Sequence, residues 1–171
     1  MVPDFSVLCG LCSRIAHGHS AVAQSAILNQ TEFELDGSLA ELGKLVDRVD
    51  RFCQEAALDD DAAFELNLVL EELFTNAVRH GGCEGMKNAV LVGLRLLENR
   101  GVAVEFGDRG TPFDPTSAAQ PDITAPLVDR QPGGLGIHLV RQTMHDLQYR
   151  RAGEWNRLTM RREGKQEAKS I

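Results

Sequence analysis

The apolar residues of this chain change their period, and that change limits what the chain can fold into. From Leu39 to Ala77 they recur at helical spacing, and from Val90 to Phe106 they alternate every second residue. Leu39, Leu42, Val46, Val49, Cys53 and Ala56 form one helical face behind Ser38-Leu39-Ala40-Glu41, which has the form of a capping box. This predicts a first helix to about Ala57. Leu58-Asp59-Asp60-Asp61 breaks the pattern and offers carboxylates to cap a second helix. That helix carries Leu66, Val69, Leu70, Leu73 and Ala77 and stops at Gly81-Gly82, after His80. A short strand, Thr31–Leu35, precedes both helices.

Val90, Val92, Leu94 and Leu96 then share one strand face, and Val102, Val104 and Phe106 another, with Asn99-Arg100-Gly101 as the hairpin turn. Five of the six prolines fall between Gly110 and Gly133, which predicts a long irregular loop of functional type, such as a lid. Gly133-Gly134-Leu135-Gly136 opens a third helix with Ile137, Val140 and Met144 on one face. Strands at Leu147–Arg151 and Asn156–Arg161 follow. The order β, α, α, β, β, loop, α, β, β predicts an α+β fold: a two-layer sandwich with a mixed, mainly antiparallel sheet and helices on one face. Residues 1–29 read as an N-terminal extension, 30–162 as the folded domain and 163–171 as a charged tail.

A net charge of −7 over 171 residues argues against a nucleic-acid binder that works by neutralising phosphates. No apolar run approaches the roughly 20 residues of a membrane span. Four cysteines in a chain of this length suggest no disulfide framework, so a reducing, cytoplasmic address is expected. Cys9 and Cys12 with His17 and His19 are compressed relative to usual zinc-finger spacings, and a flexible or helical extension is the plainer reading.

Three short segments could carry chemistry. Glu72 and Asn76 lie one helical turn apart and point the same way, flanking the apolar stripe of the second helix. Such a pair can face a pocket, though the solvated edge of any amphipathic helix also offers one. Asp108-Arg109-Gly110 ends an apolar strand, as a turn would, or as a carboxylate that accepts a hydrogen bond from a ligand's amino group. Glycines at the start of the third helix let backbone amides approach a phosphate at the positive end of the helix dipole, or form a flexible joint.

Taken together and in this order, the segments resemble the N, G1 and G2 boxes of the gyrase–chaperone–histidine kinase (GHKL) ATPase superfamily, over roughly residues 30 to 162. Thr75-Asn76-Ala77, His80-Gly81, Phe113-Asp114-Pro115 and Gly133-Gly134-Leu135-Gly136-Ile137-His138-Leu139-Val140-Arg141 bring the chain nearest to the anti-sigma-factor serine/threonine kinases. The resemblance implies ATP and Mg²⁺ as cofactors, with Asn76 coordinating the metal. It implies Glu72 as general base, Asp108 and Gly110 at the adenine, and Gly133, Gly134, Leu135 and Gly136 around the phosphates. It further implies a sigma factor and an anti-anti-sigma (STAS-type) protein as partners, in a homodimer, without nucleic acid or membrane. Pro112 stands where the family often has a second glycine. Arg130 is the nearest candidate for the family's lid arginine, with Gln131 and Pro132 intervening. A nucleotide-binding module without phosphotransfer is the alternative. The catalytic domain of a sensor histidine kinase fits less well, because no dimerisation segment with a phosphoacceptor histidine precedes the domain. A gyrase-like ATPase fits less well still, because no transducer domain follows.

Overall fold

The computed structural model describes residues 29–117 and 134–164. The elements are β1 (Gln30–Leu35), α1 (Leu42–Glu55), α2 (Asp60–Arg79), β2 (Val90–Leu96), β3 (Val102–Asp108), α3 (Gly134–Thr143), β4 (His145–Ala152) and β5 (Trp155–Arg162). The strands form one sheet in the order β1-β2-β3-β5-β4, and all four pairings are antiparallel. The α+β architecture with helices on one face is as the sequence predicts. Residues 1–28 of the expected N-terminal extension, 118–133 of the expected loop between Gly110 and Gly133, and 165–171 of the expected tail lie outside the described residues.

One face of the sheet and the three helices enclose the core. Val90, Val92, Leu94, Val102, Val104, Leu158 and Met160 meet Leu45, Leu66, Leu70, Phe74 and Val140, all buried. Burying a side chain of this size stabilises the fold by about 1.5–3 kcal/mol. The opposite face carries Glu105, only 2% exposed, in an ion pair with Arg157. Beside them the Trp155 ring lies near the guanidinium groups of both Arg109 and Arg157.

The apolar stripe of α2 is buried as expected, and its start is capped by Asp59, which accepts from the Ala62 N–H at 2.8 Å. The first helix departs from expectation. Ser38 caps a short 3-10 turn over Leu39–Glu41, accepting from the Ala40 N–H, and Glu41 binds Lys44 instead of completing a capping box. Leu39, on that turn, is 37% exposed; of the expected face Val49, Cys53 and Ala56 are buried and Leu42 and Val46 half-buried, and Leu45 and Phe52 join them. The far end of α1 is held from a distance, because Arg100 in the β2–β3 turn donates to the carbonyls of Ala56 and Ala57.

Candidate active site

Glu72 and Asn76 occupy successive turns of α2, both half-buried, on the side where α3 packs. Gly136, buried near the start of α3, is the point of closest approach. A Cβ on Gly136 would overlap the Glu72 Oε2 carboxylate oxygen, and would lie 3.1 Å from Glu72 Cδ and 3.4 Å from Asn76 Nδ2. A residue without a side chain here leaves the Glu72 carboxylate in place beside the Asn76 carboxamide and the α3 backbone. The Asn76 Nδ2 atom is buried and has no hydrogen-bond partner among the described residues. A buried amide without a partner costs roughly 1–3 kcal/mol, so its presence beside a carboxylate and a glycine marks a place where polar ligand groups fit.

The second half of the site is built where β3 ends. Asp108 is the last residue of β3 and sits directly across from Asn156 of β5. Its Oδ1 accepts from the Gly110 N–H at 2.9 Å, from Asn156 Nδ2 at 2.8 Å, and weakly from the Cys83 thiol at 3.9 Å. Burial, reinforced by the Asp108 charge, pushes the Cys83 thiol up to about 11, so it stays protonated at neutral pH and can donate. Gly110 is pressed against the end of α2: an added Cβ would overlap the Gly81 carbonyl oxygen and stand 2.8 Å from Asp108 Oδ1. Thr111 completes the dock, its N–H and hydroxyl both donating to that same carbonyl, at 2.8 and 3.0 Å. The positive φ of Gly82, 80°, lets the chain turn away beyond this point.

The structure therefore brings Glu72, Asn76 and Gly136 together at the α2–α3 contact, and Asp108 and Gly110 together at the β3 end. Helix α2 joins the two groups, since its side chains face α3 and its C-terminal turn carries the G1 loop. Gly134 and Leu135 begin α3, while Arg130 and Gly133 lie outside the described residues. Cys9, Cys12, His17 and His19 also lie outside them, and no group of three or more potential metal ligands occurs among the described residues.

Several contributors are not apparent from the motifs. Asn156 occupies a core-facing position on β5, in line with Leu158 and Met160, and a polar residue there is the one signal the sequence offers. Tyr149 and Arg151 reach Asn156 from β4, and Arg141 of α3 donates to the Pro115 carbonyl at 2.5 Å, tying α3 to the front of the proline-rich loop. In that loop Asp114 accepts from the Thr116 hydroxyl and backbone N–H, and these bonds lower its pKa.

Residues 35–162 match the histidine kinase-like ATPase domain family. The chain belongs to that family. A curated relative, serine/threonine-protein kinase BtrW of Bordetella bronchiseptica, is 39% identical over 97 residues, which cover 57% of this chain and 68% of that protein. A similar solved structure contains the RsbU and RsbW domains of Rv1364c from Mycobacterium tuberculosis, with a TM-score of 0.60 and 13% identity over 84% of this chain. That likeness concerns the fold, and this chain spans only 34% of that larger one. Among the described residues no helix is long and apolar enough to cross a membrane.

Proposed function

We propose that this protein is an ATP-dependent serine/threonine kinase of the anti-sigma-factor type, acting on an anti-anti-sigma (STAS-type) protein and sequestering a sigma factor. The observation that carries this reading is the convergence of Glu72, Asn76 and the bare backbone of Gly136 at the contact of α2 with α3. Kinship with a protein named as a serine/threonine kinase supports the choice of substrate residue. The catalytic unit would span residues 30–162, with 1–29 and 163–171 as extensions, in a cytoplasmic homodimer.

The residues present fit ATP with Mg²⁺. The Asn76 carboxamide would offer its Oδ1 to a cation that accepts one or two protein ligands and retains water, while its Nδ2, buried with no partner among the described residues, would donate to a phosphate oxygen. Mg²⁺ held there would neutralise phosphate charge. Gly133, Gly134, Leu135 and Gly136 would present backbone N–H groups at the positive end of α3, with Arg130 as a further cation. Asp108 would accept the amino group of the base, and Gly110 would let the ring approach. Glu72 would accept the proton from the serine or threonine hydroxyl of the partner. Most of the remaining catalysis is positioning. A phosphate added to the partner, close to two negative charges, would disfavour its return to the same surface.

Calorimetric titration of ATP and ADP, with and without Mg²⁺, tests the nucleotide site. Wild type should bind ATP in a Mg²⁺-dependent manner, and Asn76→Ala should lose roughly tenfold or more in affinity. Incubation with a serine-bearing STAS-type protein then tests transfer. Glu72→Ala should abolish phosphorylation and leave ATP binding in place. ATP binding without transfer by wild type would instead leave a sequestering module.

A further inference from the structure

Asp108 has two carboxylate oxygens, and the structure treats them differently. Oδ1 receives three donors, from Gly110, Asn156 and Cys83, whereas no hydrogen bond reaches Oδ2 among the described residues. A carboxylate bound on one side only could rotate, because its terminal torsion is broad and two-fold. Asn156 prevents this, and its own amide cannot turn over. Its Oδ1 accepts from the Tyr149 hydroxyl at 2.8 Å and from Arg151 Nη1 at 2.9 Å. Its Nδ2 donates to Asp108 Oδ1 at 2.8 Å and to the Thr111 carbonyl at 2.9 Å. Reversing the amide would set its oxygen against a carboxylate and a carbonyl, and its NH₂ against two donors. Arg151 Nη1 also donates to the Gly110 carbonyl at 2.9 Å, so one guanidinium braces both the amide and the loop.

We infer that Asn156, oriented by Tyr149 and Arg151, is a positioning residue that reserves Asp108 Oδ2 for the base, making selectivity for an aminopurine depend on the last two strands of the sheet. The inference rests on the ATP-site reading above and adds to it the part of the molecule that sets base selectivity. A base with an amino group at the recognised edge donates to the reserved oxygen, and one without that group leaves the carboxylate partly unpaired. The side-chain partners of Asn156 among the described residues are in β4, at the β3 end and in the loop after it, and Glu72 and Asn76 are not among them, so its loss should act on the difference between bases.

The test compares dissociation constants for ATP and for purine riboside 5′-triphosphate, which lacks the exocyclic amino group, in the presence of Mg²⁺. Wild type should prefer ATP roughly tenfold or more, since the amino group then meets a charged acceptor. In Asn156→Ala the preference should fall by about fivefold, with the affinity for the desamino nucleotide changing less than about twofold. In Tyr149→Phe, which removes one hydroxyl, the preference should fall by about two- to threefold. Equal weakening of both nucleotides in Asn156→Ala, with the preference intact, would make Asn156 a scaffold residue and overturn the inference. If Asn156→Ala fails to fold by thermal unfolding, Tyr149→Phe decides, and a preference unchanged from wild type overturns it. Binding of neither nucleotide by wild type would overturn the ATP-site reading together with this one, whereas strong wild-type preference that survives both substitutions removes only the latter.

Discussion

At the β3 end of the site Asp108 meets a glycine N–H, an asparagine amide and a thiol, and the asparagine is itself held by a tyrosine and an arginine. At the α2–α3 contact, by contrast, the Asn76 amide nitrogen is buried with no partner among the described residues. One end is organised before any ligand arrives, and the other keeps polar capacity in reserve. A flat, neutral base is best read by groups already fixed. On the proposed reading, phosphates, which carry several charges, would supply the missing partners themselves, and the unsatisfied amide would be a standing cost that binding removes.

One substitution made at both ends should break this comparison or sharpen it. Gly136→Ala should have the largest effect on activity. The new methyl group displaces the Glu72 carboxylate, the movable end of a side chain, and misplacement of this size costs roughly a hundredfold in phosphotransfer. Stability should hold, because alanine in a helix is favoured over glycine by about 1 kcal/mol. Thermal unfolding alongside a transfer assay checks both halves. Gly110→Ala should show the reverse pattern. Its Cβ meets the Gly81 backbone carbonyl, which cannot swing aside, so a loss of about 1–3 kcal/mol in stability is expected on chemical denaturation. If both variants lose stability equally, the two ends are not differently built.

A smaller effect concerns Cys83. Its thiol is buried and pushed up to about 11, so alkylation by iodoacetamide at pH 8, mapped by mass spectrometry, should spare it in the folded protein and modify it in denaturant. Rapid labelling under native conditions would mean that the base end opens freely. The smallest effect lies outside both ends, at Asp36, whose pKa is lowered mainly by its hydrogen bond from Lys87 and then by the Asn88 N–H. The folded-state value lies below the unfolded one, so this contribution is complete above about pH 4 and lost as pH falls through the folded value. Asp36→Asn should flatten that part of a stability–pH profile while leaving nucleotide affinity at neutral pH unchanged.

Much of this arrangement is legible in the sequence, and the reasons for the rest are physical. Glu72 and Asn76 are one turn apart, so helical periodicity alone places them together. Asp108 and Gly110 are local to one strand end. Asn156 and Tyr149 lie more than 35 residues beyond Asp108, and only the antiparallel registers of β3 with β5 and of β5 with β4 bring them to it. The polar residue on the core-facing side of β5 was the available clue. Along α1 the expected residues Val49, Cys53 and Ala56 are buried, whereas Leu39 stands on a 3-10 turn that nothing in Ser38-Leu39-Ala40-Glu41 distinguishes from an α-helical start. Leu45 and Phe52, both buried, lie one turn to either side of Val49 and make the buried face wider than the single line of apolar residues read from the sequence.

The order of strands leaves β1 and β4 as the outer members of the sheet among the described residues. An uncovered sheet edge can recruit a neighbouring chain and seed insoluble assemblies. Here β1 alternates exposed Gln30, Glu32 and Glu34 with its inward residues, so a second copy approaching in register would bring like charges together. Strand β4 is broken by a bulge between His145 and Gln148 and carries Asp146, Arg150 and Arg151. Replacing Glu32 and Glu34 with threonine would leave the core untouched and is expected to lower the concentration at which the protein remains dispersed, as light scattering would register.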